Sequence, residues 1–195
     1  MKLAAPTALV LLAATAFAAA AVGRDAAGPT AARCGGELWR LKTLSDPGRT
    51  TVALAPKTTT IGTIIGKPFP RPVPRKRRTA FQKQNWEVVA QITAFRLEDA
   101  GLRLVLYDDG AYVNAVIPVP SCLTQRSRAR SAMRDAWGKF GSSCTRPTRD
   151  WQSLGAIAYV RGVGFWSARK GERGAAPNGA ELYPVTGFRI VAGCG

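Results

Sequence analysis

Hydrophobic and polar residues alternate most clearly in the middle of the chain. Trp86, Val88, Ala90, Ile92 and Ala94 interleave with Glu87, Gln91 and Thr93, the period-2 pattern of a strand with one buried face. Leu102, Leu104 and Leu106 repeat the pattern against Arg103, Val105 and Tyr107. Asp108-Asp109-Gly110 between them and Tyr112 to Ile117 reads as a hairpin turn followed by a third strand, which Pro118 and Pro120 end. The period then changes. Ala129, Ala132, Met133, Ala136, Trp137 and Phe140 form one apolar helical stripe, and the spacing predicts a helix from about Thr124 to Phe140. Thr124 is the expected N-cap and Gly141 the expected stop. Arg126, Arg130 and Arg134 make a separate stripe, and their charge near the helix start opposes the dipole. Two more strands are expected, near Ala156 to Phe165 and Glu181 to Val191, joined by a glycine-rich loop from Ser167 to Ala180. Gly162 and Gly164 inside the first of them suggest a bulge or tight packing.

The resulting order is β-β-β-α-β-β. It is the order of the five-stranded oligonucleotide/oligosaccharide-binding (OB) barrel, with a helix between strands three and four, although other small β-rich folds share it. The expected fold class is therefore mainly β with one helix, a small OB-fold-like barrel with an N-terminal extension. Within that extension Leu38 to Thr43 reads as a short strand, and Ser45 to Thr60 as loop with one extended piece. Lys67 to Arg78, KPFPRPVPRKRR, alternates proline and then carries four consecutive cations. It reads as an extended basic arm, as a solvated loop, or as a protease processing site.

The first residues have a different character. Lys2 precedes an alanine-rich apolar run from Ala8 to Ala21, with small residues at the expected cleavage positions. This is the pattern of a secretory signal peptide. The expected organisation is a signal peptide over 1–23, an extension with its basic arm over 24–80, and the barrel over 81–195. The expected location is secreted or extracytoplasmic, with no transmembrane segment once the signal is removed.

Composition sharpens the functional question. The 195 residues carry a formal net charge of +16 and contain no histidine. The commonest neutral-pH general base and metal ligand are absent, and the charge points to an anionic partner. Candidate polyanion contacts are Arg75, Lys76, Arg77, Arg78, Arg126, Arg130, Arg134 and Lys170, with Phe69, Phe81, Tyr107, Tyr112, Trp151 and Trp166 as rings for stacking or for the core. No nucleophile elbow or phosphate loop occurs. Glu98, Asp108 and Glu181 are the acids an alternative metal-assisted hydrolase would use, but no cofactor or metal site is expected. Four cysteines, Cys34, Cys122, Cys144 and Cys194, suggest two disulfides. Spacing leaves three pairings open; Cys122–Cys144 and Cys34–Cys194 are the favoured ones, and a zinc site is disfavoured because no CxxC spacing exists.

Several segments together resemble a family of poorly characterised secreted bacterial proteins. They are LKTLSD (Leu41 to Asp46), LEDAGLRLVLYD (Leu97 to Asp108), IPVPSC (Ile117 to Cys122), GVGFW (Gly162 to Trp166) and KGERGAAPNGAELYPV (Lys170 to Val185). The resemblance implies a shared β-rich fold. Where the family tends to carry histidine this chain has Arg103, Lys170 and Tyr183, and Val116 replaces a glutamate, whereas Glu98, Pro177, Asn178, Glu181 and Pro184 are kept. A catalytic or metal site built on those histidines would be lost here. Arg103, Asn178, Glu181 and Tyr183 thus form a candidate loop-mouth site, although Pro177-Asn178-Gly179 also suits a turn that only fixes entry to the last strand. The expected function is non-catalytic binding of a polyanion, nucleic acid or an anionic envelope polysaccharide. The alternatives are the hydrolase and a structural or partner-binding envelope protein.

Overall fold

A closed ring of five strands organises the computed structural model, which describes residues 34–168 and 171–194 together with Met1. The expected signal peptide and the first ten residues after it lie outside the described residues, as do Arg169 and Lys170. Six strands form one sheet: β1 (Ala53–Thr58), β2 (Gln84–Glu98), β3 (Gly101–Asp108), β4 (Ala111–Pro118), β5 (Gln152–Trp166) and β6 (Ala180–Ala192). The antiparallel pairs β2–β3 and β3–β4 lead into a parallel β4–β6 contact, Asn114 opposite Glu181 and Ala115 opposite Leu182. β6 pairs antiparallel with β5, and β5 returns to β2 from Asn85/Val163 to Phe95/Gln152, which closes the barrel. β1 lies outside the ring, parallel to the first residues of β2. This is the OB-type barrel expected from the element order.

The alternation does what its period requires. Val88, Ile92, Leu104, Leu106, Val113, Ala115, Ile117, Val160 and Leu182 are fully buried in the barrel core. Asp109 and Gly110 both take positive φ, 45° and 75°, the twist a two-residue hairpin needs. The glycine pair in β5 marks register shifts at Arg161/Gly162 and Gly162/Gly164. A Cβ on Gly164 would lie 2.2 Å from the Phe81 carbonyl oxygen, so only glycine lets these backbones meet.

Three helical elements differ from expectation. Leu38 to Thr43 is not a strand; Trp39–Lys42 is one helical turn, α1, bracketed by Leu38 and Leu44 at φ 57° and 51°. That backbone carries Leu41 and Leu44 into the interior, where they are 3% and 0% exposed. A second short helix, α2 (Ile61–Ile65), is capped by the Thr60 hydroxyl, which accepts from the Thr63 amide at 3.1 Å. The main helix, α3, spans Arg130–Ser143 rather than starting near Thr124. Ala129 precedes it at φ 59°, so the chain turns there, Arg126 lies before the helix, and the expected three-arginine stripe does not form. The helix also runs past Gly141. Its buried stripe is Met133, Ala136 and Phe140; Phe140 packs 5.2 Å from Phe95 and 5.5 Å from Phe188.

The disulfides are Cys34–Cys122 and Cys144–Cys194, with Cα separations of 5.2 and 5.1 Å. Both expected pairings are therefore wrong. The 14 residues of α3 stand between Cys122 and Cys144, a rise of about 21 Å. Cys144 instead caps α3 beside the end of β6, and Cys34 meets the turn that follows β4. Two disulfides suit an oxidising compartment. No helix among the described residues is long and apolar enough to cross a membrane. The described part of the extension packs in the same unit as the barrel: Ile61 and Ile64 are fully buried in the barrel core.

Candidate functional site

A cleft of about 1310 Å³ opens between the chain around α1, the basic arm, the β2–β3 turn and the start of the β5–β6 loop. Each wall has a local cause. The prolines of the arm keep residues 68–78 free of regular structure. Arg77 nails that arm down. Its guanidinium donates to Asp46 Oδ1 at 3.0 and 3.1 Å, to the Leu41 carbonyl at 2.7 Å and to the Gln82 carbonyl at 3.0 Å. Its side chain is 1% exposed, so Arg77 is not a polyanion contact; burying it fixes the others. Burial pushes the Arg77 pKa down, against the pull of Asp46, and an arginine stays charged regardless.

With Arg77 turned inward, Arg75, Lys76 and Arg78 point to solvent on the cleft wall, joined by Arg71. Arg75 lies 3.8 Å from Glu37, an exposed pair worth little. Arg71, Lys76 and Arg78 have no carboxylate partner among the described residues. Trp39 and Lys42 of α1 supply the facing wall. Lys42 Nζ sits 5.3 Å from the Phe165 ring and 5.5 Å from the Tyr183 ring. Sequence reasoning missed Trp39 and Lys42, because nothing in their local pattern marks them and only the fold brings them to the arm; Arg71 lay within the arm but outside its run of four cations.

At the cleft's deep end Arg103 gathers acids from three segments. Its Nε donates to Glu98 Oε1 at 2.8 Å, while its Nη1 lies 3.4 Å from Glu181 Oε1 and 4.0 Å from Glu172 Oε2. Arg96 also donates to Glu98 Oε1, at 2.8 Å. Burial alone would raise the Glu98 pKa, but Arg103 and Arg96 outweigh it and hold the carboxyl below its usual range. Burial likewise opposes the charge of Arg103, and Glu181, Glu98 and Glu172 together raise its pKa instead.

Three members of the expected loop-mouth site therefore converge: Arg103 and Glu181 in contact, with Tyr183 buried nearby against Phe165, Leu41 and Val116. Asn178 does not join them. Its Nδ2 donates to the Ile64 and Lys67 carbonyls at 3.0 and 2.9 Å, and its Oδ1 accepts from the Ala180 amide at 3.1 Å, so it anchors the entry to β6. Arg126, Arg130 and Arg134 do not line the cleft, and Arg130 donates to Gln125 Oε1 at 2.9 Å. Lys170 lies outside the described residues. Of the acids of the hydrolase alternative, two meet at Arg103 and the third stands apart. Glu98 and Glu181 are bound to Arg103, and Asp108 sits at the other end of β3, about 17 Å along the strand from Arg103. Among the described residues no group of three or more histidines, cysteines or acids is placed to hold a metal. Phe81 and Trp166 belong to the core, with rings 4.8 Å apart.

No family model matches the chain, and no curated protein matches it. Among solved structures it is similar to a chain described as a putative aspartyl-tRNA synthetase from Leishmania major Friedlin, at 12% identity and a TM-score of 0.44. The match covers 74% of this chain and 22% of that one, and it is too remote to bear on function.

Proposed function

We propose that the protein is a secreted or envelope-located binding protein that holds an extended anionic polymer, nucleic acid or an anionic polysaccharide, along the cleft, without catalysis. The observation that carries this reading is the set Arg71, Lys76 and Arg78, exposed on one wall with no carboxylate among the described residues to neutralise them. Maintaining unpaired like charges side by side is unfavourable in the empty protein and becomes favourable when phosphates, sulfates or carboxylates line up against them. The net charge of +16 adds long-range attraction. Arg103 takes no direct part: its charge is consumed by the acids around it, and it fixes the β2–β3 turn and the β5–β6 loop at the cleft's end. The two disulfides support an extracytoplasmic location. The resemblance through residues 162–185 fits the same setting.

The test is a titration of the oxidised protein with single-stranded DNA and with a sulfated polysaccharide, read by tryptophan fluorescence because Trp39 lines the cleft. Log Kd should rise linearly with log salt. Replacing Arg71, Lys76 and Arg78 by glutamine should lower the slope for single-stranded DNA by about 2, at about 0.7 per phosphate contact. Binding with no salt dependence, or no binding to either polymer at low salt, refutes the reading and leaves a structural or protein-binding role.

A further inference from the structure

Glu98 stands at the deep end of the cleft with only one of its two oxygens engaged. Both guanidiniums that hold it use the same atom. Arg103 Nε donates to Oε1 at 2.8 Å, and Arg96 donates to Oε1 through Nη2 at 2.8 Å and Nε at 3.2 Å. Oε2 accepts no hydrogen bond among the described residues, yet solvent reaches it. The side chain is 21% exposed and lines the cleft. Burial works against its charge, but Arg103 and Arg96 outweigh that and keep the carboxyl ionised at neutral pH. An ionised oxygen open to a binding cleft is an acceptor without a donor, and its strongest complement is a charged donor.

The two ends of the cleft differ in sign. The arm presents Arg71, Lys76 and Arg78. The β2–β3 turn presents Glu98 and, beside it, Asp99, whose Oδ1 accepts from Arg149 Nη1 at 2.9 Å. Arg96 also lines this end and would be a ready anion contact, but its guanidinium is turned onto Glu98. A polymer that carries only anions complements the arm and meets like charge at Glu98, which weighs against it. A polymer that carries anions and ammonium groups complements both ends.

We infer that Glu98 selects the ligand: its Oε2 accepts from a protonated primary amine on an anionic polysaccharide whose acidic groups lie along the arm. This rests on the polyanion reading and narrows it to a polymer of amino sugars with free amines. Nucleic acid has phosphates for the arm but no ammonium for Glu98. Arg96 and Arg103 position the carboxylate and do not touch the ligand's amine.

The experiment gives the oxidised wild-type protein two matched polymers, heparin stripped of its N-sulfates to free amines and the same material N-acetylated. They share carboxylates and O-sulfates and differ only at nitrogen. Counter-ion release alone makes the free-amine form the equal or weaker ligand, because its net negative charge is lower. The inference makes it the tighter one, by about fivefold or more in Kd, which is about 1 kcal/mol. In Glu98→Gln, which keeps the shape and removes the charge, that preference should vanish. Should this variant not fold, wild-type NMR localises the contact. The Nε–H signals of Arg96 and Arg103, both bonded to Glu98, should move with the free-amine polymer and much less with the N-acetylated one. An equal or weaker Kd for the free-amine polymer, a preference that survives in folded Glu98→Gln, or guanidinium signals that answer both polymers alike overturns the inference. Any of these together with a steep salt dependence leaves the cleft reading standing. Wild-type protein that binds neither heparin nor single-stranded DNA at low salt removes both.

Discussion

Removing the Asp46 carboxylate tests the proposition that the basic arm is held by one buried arginine. In Asp46→Ala the guanidinium of Arg77, 1% exposed, keeps only the Leu41 and Gln82 carbonyls as acceptors and loses its counter-charge. Breaking a buried ion pair from one side costs about 3–5 kcal/mol, because an uncompensated charge stays behind. For a chain of this size each kcal/mol moves Tm by about 2–4 °C, so the midpoint should fall by about 6–20 °C. Arg77→Met should cost a similar amount by stranding the carboxylate. The double variant strands neither charge. The Leu41 carbonyl still accepts from the Leu44 amide at 3.3 Å, which leaves the Gln82 carbonyl as the main loss, about 1–3 kcal/mol. The double-mutant cycle, followed by circular dichroism on oxidised protein, should therefore return a coupling of about 3 kcal/mol or more. Salt should change that coupling little, since the pair is shielded from solvent. Additive single effects, or a loss under about 1 kcal/mol in Asp46→Ala, would show that the arm is held by something else and that the geometry of the cleft wall has been misassigned.

Three further outcomes follow from the same structure. Gly164→Ala, whose new Cβ meets the Phe81 carbonyl at 2.2 Å, should destabilise by about 3 kcal/mol or more in urea unfolding, and a neutral result would contradict the close β5 contact. Glu98 has a folded pKa below its usual value, so its contribution to stability is fully present above about pH 4.5 and is lost as pH falls through the folded pKa. Glu98→Gln should flatten that part of the stability–pH profile, and an unchanged acid limb would refute the assignment. Non-reducing peptide mapping should recover the Cys34–Cys122 and Cys144–Cys194 links, and the double serine variant at Cys34 and Cys122 should lose about 2–4 kcal/mol of stability together with polymer affinity, since Cys34 borders the cleft.

What could be read from the sequence was whatever depends on near neighbours. Leu102, Leu104 and Leu106 declare a strand because a barrel buries one face of each strand, and the period survives in the residues themselves. The glycine pair in β5 declares close backbone approach for the same reason. Leu38 to Thr43 misled because two leucines adopt left-handed backbone, a local cost accepted to bury Leu41 and Leu44, and that gain is visible only once the barrel exists. The start of α3 misled because Thr124 resembles a cap, while Ala129 breaks the backbone five residues later.

The candidate site divides along the same line. The arm was legible as charge, but within Arg75-Lys76-Arg77-Arg78 nothing distinguishes the one cation that turns inward. Its partner Asp46 lies 31 residues earlier, and the pairing exists only because the arm crosses α1. The same arm that looks like a uniform polycation is thus a structural peg flanked by exposed charges. That arrangement answers why the charges remain together: Arg77 and Asp46 hold the backbone, so Arg71, Lys76 and Arg78 need not find partners in the protein to be positioned. A solvated basic loop has no need of such a peg. A surface that must present unpaired cations in register does, and the dependence of polymer affinity on Asp46, a residue that cannot touch the ligand, is where the two differ.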